Sequence, residues 1–229
     1  PFGQFDPLFG RDVAYYVFML PFYDVARYLA MAIVVLSLLG STTAYVASGT
    51  LALDPARGLV IGAEARRHLG LIVAGLFLLL AWGAYLEVPR LLSTPGGIVY
   101  GASYVDVAVR VPVFRVLMAV ALVGAMLSAM TALTLRNAPL IAAVGLYVLV
   151  TVGGNLGAFA LQRLVVTPDE QQREAPYIVR NIEATRQAFG LGLVEERELS
   201  GDATLTLADI QNNTEAINNI RLWDHEPLL

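Results

Sequence analysis

The chain has no cysteine and no lysine among its 229 residues. The first absence excludes disulfides and thiolate metal sites. The second makes every basic residue an arginine, a compositional bias that assigns no function. Charge is scarce as well, at 15% of residues, where soluble domains average about 25%. The two histidines, His68 and His225, lie far apart, so no histidine cluster with ligand spacing is written into the chain. Hydrolase, phosphate-loop, dinucleotide and metal motifs are lacking. No catalytic residue, metal ligand or cofactor is therefore assigned. Glu195, Glu196 and Glu198 are the densest acids, and they fall in a stretch that reads as a solvated loop. The chain begins at Pro1 without a signal-peptide pattern, so its start reads as the interior of a longer polypeptide.

What is present is apolar. Hydrophobic residues make up 57% of the chain, and mean hydropathy is +0.63. Four stretches, residues 28–47, 69–86, 116–135 and 137–162, contain no charged residue. A helix needs about 20 apolar residues to cross a hydrocarbon core of about 30 Å. The fold class expected is all-α: a polytopic helical membrane protein with four transmembrane helices and a small helical extracytoplasmic tail. Glu87, Arg115 and Arg163 stand at the ends of stretches and no charge lies deep in one, which counts against proton-coupled transport and ion pumping.

Three segments follow. Residues 1–27 are aromatic-rich and read as interfacial, since rings and flanking charges favour the membrane boundary. A helix near the interface is expected over residues 12–20, with Pro21 turning the chain into the first span. Residues 28–165 form the four-helix membrane part. Residues 166–229 form an acidic segment, the start of a larger aqueous domain. The first 165 residues hold ten arginines against seven acids, net +3; the rest hold five against twelve, net −7, and the two sum to −4. An acidic tail repels phosphate backbones, so nucleic acid is excluded as a partner. Membrane lipids and other membrane protein subunits are the partners expected.

Small residues four apart let helix backbones approach closely. Gly124 pairs with Ser128, Gly153 with Gly157, and Gly154 with Ala158. Asn155, among these glycines, is expected to bond to a neighbouring helix. His68 reads as an end-of-helix group rather than a haem or chlorophyll ligand. Residues 48–68 read as a polar connection. In the next connection Pro95-Gly-Gly signals a turn, and Ser103 with Asp106 resembles a capping box that opens a short helix over 104–110. Asn137 and Pro139 suit a helix start, which makes the last two spans a tight hairpin. In the tail, Thr167-Pro-Asp-Glu reads as a helix start, Pro176 as a break, and Thr206 as the cap of a helix over 207–220. Arginine density slightly favours the first and third connections as cytoplasmic.

Several strings carry a resemblance: Asp6-Pro-Leu-Phe-Gly-Arg-Asp-Val-Ala-Tyr-Tyr, Gly101-Ala-Ser-Tyr-Val-Asp106, Glu174-Ala-Pro-Tyr-Ile-Val-Arg-Asn-Ile-Glu, and Asn219-Ile-Arg-Leu-Trp-Asp224. In this order they resemble uncharacterised protein family 182 of bacterial membrane proteins. The resemblance implies seven spans followed by a large extracytoplasmic domain, of which this chain would supply the last four spans and the opening of the domain. It carries over no catalytic residue. It implies the bacterial cytoplasmic membrane, with both ends of the chain extracytoplasmic. The function expected is that of a non-catalytic anchor, scaffold or accessory subunit of a larger membrane assembly. The alternative is a component of an envelope lipid or small-molecule transporter, with Asn155 and the glycine-rich fourth span along the path.

Overall fold

The computed structural model describes residues 1–55, 58–96, 99–134, 136–195 and 206–219. It is an all-α chain in which four helices are long and apolar enough to cross a membrane. The core of these helices is α1 (Leu20–Ala47), α2 (Ala63–Arg90), α3 (Val111–Thr134) and α4 (Ala138–Leu161). Two units are distinguished, Pro1–Arg186 and Gln187–Leu229.

In the first unit, α2 and α3 form the centre. Phe77 and Ala81 of α2 pack with Ala121 and Ala125 of α3 and Ala143 of α4. Alanine at four of these positions lets the backbones close in, which is how helices associate where lipid offers no hydrophobic drive. Gly70 shows how close: a Cβ there would stand 3.1 Å from the carbonyl oxygen of Ser128. α1 and α4 flank this pair. Of their most apolar windows only 0% and 6% is buried within the chain, against 39% for α2 and for α3.

The first helix is not broken at Pro21. It runs unbroken from Tyr15 to Ala47, so the expected break between an interfacial helix and a span is absent. A π turn over Tyr15–Met19 opens it, with the Leu20 N–H bonded to the Tyr15 carbonyl. The widened turn leaves space for a proline that cannot donate. Two further π turns, Asp106–Arg110 and Gln162–Val166, occupy the same end of the bundle. The capping box at Ser103 and Asp106 forms as the sequence indicates, but its helix continues directly into α3.

The last two spans form a hairpin, with Pro139 in the first turn of α4; Asn137 makes no side-chain cap. Beyond α4 the helix continues through the π turn and the short 3-10 turn Thr167–Asp169 into α5 (Glu170–Ala188). Thr167 therefore starts no new helix; its hydroxyl donates to the Gln162 carbonyl. Pro176 lies inside α5 and does not break it.

Residues 51–61 are not a plain connection. β1 (Leu51–Asp54) and β2 (Gly58–Ile61) pair antiparallel. A smaller pair, β3 (Pro95–Gly96) and β4 (Val99–Tyr100), brackets the expected Pro-Gly-Gly turn, whose residues 97 and 98 lie outside the described residues.

In the second unit Gly190 takes a left-handed φ of 65° after α5. Thr206 caps α6 (Leu207–Asn212) in a full capping box with Asp209. α7 (Thr214–Asn218) follows after a turn at Asn213, so the expected single helix is two. Residue 220, and Glu196 and Glu198, lie outside the described residues.

Candidate functional site

The start of α1, the end of α2, the start of α3 and the end of α4 meet at one end of the bundle. Charged and aromatic side chains gather there. The first fourteen residues close into a loop around two carboxylates. Asp6 accepts from the backbone N–H groups of Leu8, Phe9 and Arg11 and from the Tyr16 hydroxyl. Burial alone would raise the Asp6 pKa; these four donors outweigh it and hold the carboxyl below its ordinary value. Asp12 accepts from the N–H groups of Phe2, Ala14 and Gly3, which lowers its pKa too. An isolated bridge between Phe5 and Asp12 completes the loop.

Arg11 leaves this loop toward α2. Its guanidinium donates to the Tyr85 hydroxyl at 2.7 Å and lies 4.2 Å from the centre of the Tyr15 ring. Nearby, Arg90 of α2 forms ion pairs with Asp24 of α1 and with Glu87. One arginine thus ties α1 to α2 at the boundary.

The two strings around residues 101–106 and 174 meet. Asp106 is 3% exposed and accepts from the Ser103 backbone N–H and hydroxyl and from Arg110. Glu174 of α5, 7% exposed, accepts from the Tyr104 N–H through both oxygens, at 3.2 and 3.1 Å. The Tyr104 and Tyr177 rings meet edge to face, and Arg173 lies over Tyr104. Val105, Ala158 and Val166 pack beneath. A buried carboxylate needs such donors, so Glu174 pins α5 to the first turn of the α3 helix. The sequence signal for this seat was present: both halves lie in strings that carry the family resemblance.

A cleft of about 540 Å³ opens at the same end, between the N-terminal loop, the last turns of α2 and the first turns of α3. Leu8, Phe9 and Phe114 help to wall it.

The helix-packing residues fall in two groups. Gly124 faces Phe77, whose ring would be 2.7 Å from an added Cβ. Ser128 is fully buried against α2. Gly154 faces Val113 of α3, and Ala158 is buried beside Val105 and Val166. Gly153 and Gly157 have nothing within 4 Å of an added Cβ. Asn155 bonds within its own helix: its amide donates to the Thr151 carbonyl one turn back, at 2.9 Å. His68 meets the Tyr45 hydroxyl through Nδ1 at 3.1 Å and so joins α2 to α1 at the other end of the bundle.

One charged group enters where the sequence reading has none. Arg27 lies within the unbroken first helix, and its Nη1 comes 3.0 Å from the place of a Gly83 Cβ. Gly83 belongs to the charge-free second stretch. Its missing side chain makes the room, and a long arginine stem fills it.

Comparison with known proteins follows the same outline. The description Uncharacterised protein family (UPF0182) matches residues 1–229. A UPF0182 protein of Pelobacter propionicus is 38% identical over 228 residues, covering 99% of this chain and 25% of that protein. One of Salinibacter ruber is 37% identical over 229 residues, covering 100% of this chain and 24% of the relative. One of a Nostoc species is 35% identical over 237 residues, with 100% and 23% covered. The chain spans about a quarter of the length of these curated relatives. No solved structure matches. With its whole length matched and its sequence shared with bacterial relatives at this level, the chain belongs to Uncharacterised protein family (UPF0182).

Proposed function

We propose that this region is a non-catalytic membrane anchor and scaffold, which holds the aqueous part of a longer protein at a set position above the bilayer. The observation that carries the reading is the Glu174 seat on Tyr104. It joins an aqueous helix to the membrane bundle through a buried carboxylate, at the point where that helix leaves the last span. A segment needing only a tether would spend no buried acid on fixing its direction, because burying a carboxylate is costly unless its donors are matched. The charged groups at this end brace the same region: Arg90 joins α2 to Asp24 of α1, and Asp106 with Ser103 and Arg110 fixes the turn that presents Tyr104.

The uncovered apolar faces of α1 and α4 suit contact with lipid and with further helices of a larger membrane assembly. The membrane is the bacterial cytoplasmic one, and the end carrying α5 is extracytoplasmic. Arginine density supports that orientation, and the relatives are bacterial.

The reading is tested on the full-length protein with Glu174→Ala. Insertion into the membrane should persist, while residues 167–188 become open to protease and any co-purifying subunit is lost. Unchanged protection and an intact assembly would refute a scaffold role for this seat.

A further inference from the structure

The acids at the α5 end of the bundle are engaged. Asp6 and Asp12 accept from backbone groups, Asp24 and Glu87 hold Arg90, Asp106 holds Arg110, and Glu174 holds the Tyr104 N–H. Arg11 and Arg115 are among the arginines left without an acid. Arg11 bonds to a tyrosine hydroxyl, and neither forms an ion pair among the described residues. Both line the same cleft of about 540 Å³, and no acid lines it with them. That volume lies within the range of small-molecule sites, about 300–1,000 Å³.

The cleft has a direction. Arg115 immediately precedes the charge-free third stretch, while Met118 and Ala84, also in the lining, belong to charge-free stretches. Its cationic lip therefore sits at the edge of the apolar zone, and its lining continues inward as hydrocarbon-like side chains. Guanidinium groups match phosphate oxygens with paired N–H donors, and two without counter-charge at an interface favour an anion.

We propose that this cleft binds a phosphate-bearing amphiphile, with the anionic head between Arg11 and Arg115 and an apolar tail along Phe114 and Met118. Tyr85, already donated to by Arg11, orients that guanidinium toward the lip. The inference stands apart from the anchor reading, since a scaffold could hold such a lipid or none.

The test uses the full-length protein purified in detergent and then titrated with phosphatidylglycerol, phosphatidylcholine or inorganic phosphate. Bound lipid is counted by native mass spectrometry, and the unfolding midpoint is followed in parallel. Phosphatidylglycerol should bind about tenfold tighter than phosphatidylcholine, roughly one step of 1.4 kcal/mol, and should raise the midpoint. Arg115→Gln should abolish the preference, and Arg115→Lys should restore part of it. Arg115 makes no internal bond among the described residues, so its loss tests binding apart from folding; Arg11→Gln is the second variant, and Arg163→Gln the control expected to bind as the unaltered protein does. Equal binding of the two lipids, or a preference that survives Arg115→Gln, would overturn the proposal. Inorganic phosphate that competes as strongly as the lipid would overturn the amphiphile in favour of a free anion.

Discussion

Asp6 shows what one carboxylate can organise. It gathers three backbone N–H groups and one hydroxyl, and its folded pKa lies below its ordinary 3.8. A depressed folded value means stability that is fully present above the unfolded pKa and lost as pH falls through the folded one. The loop over residues 1–14 should therefore open as pH falls through and below the ordinary carboxylate range, ahead of the helices, as read from the amide resonances of Leu8, Phe9 and Arg11. Asp6→Asn should open it at neutral pH; amide signals that do not move on acidification would contradict this. Two glycines three residues apart offer a sharper contrast. Gly154→Leu drives a side chain into Val113 and should cost about 1–3 kcal/mol, as overpacking does. Gly157→Leu meets open space and should leave the unfolding midpoint of the isolated protein unchanged. A fall equal to that of Gly154→Leu would place another helix against Gly157.

At the scale of elements, prolines and π turns come together. Pro21, Pro112 and Pro168 each stand two residues beyond the last residue of a π turn. In a regular helix each would leave a carbonyl one turn back unpaired and crowd it; a widened turn relieves both. Pro112→Ala removes the need for the wide turn over Asp106–Arg110. If that turn tightens, Ser103, Tyr104 and Asp106 rotate away from α5, so protease should cut residues 167–188 faster. Equal cutting of variant and parent would show that the π turn is held by the Asp106 and Tyr104 contacts alone.

These turns also mark where the sequence is readable. The four apolar stretches, the Ser103–Asp106 box and the Thr206 cap are local signals, and each appears in the structure. Pro21 and Pro176 read as breaks because a local rule is all the sequence displays; tertiary contacts and widened turns override it. The β1–β2 pair is too short for its alternation to stand out from a polar connection. Of the site, Asp106 was legible and the role of Glu174 was not, since its partner is 70 residues away and a single acid on a polar helix resembles a solvated one. Arg27 was read as a flank for the same reason: nothing local shows that Gly83 opposite it leaves space.

For the molecule as a whole, the order of the helices sets two aqueous ends of different character. One carries β1–β2 and the tight turn after α3. The other carries the N-terminal loop, the cleft and α5. Ala63 and Ser93 are exposed at opposite ends of α2, and this stretch has no cysteine to interfere. In intact cells an impermeant thiol reagent should label Ser93→Cys and spare Ala63→Cys. The reverse pattern would invert the proposed topology.

The unbroken helix from Ala138 to Ala188 is 51 residues long. At about 1.5 Å per residue, the part beyond the last π turn projects about 30 Å. Seated near its base on the Tyr104 N–H by Glu174, it is braced by two helices, the last span and the start of the α3 helix. The arm before Glu174 is the longer, 36 residues (138 to 174) against 14 (174 to 188), so a tilt about that seat would move the outer tip less than the far end of the span.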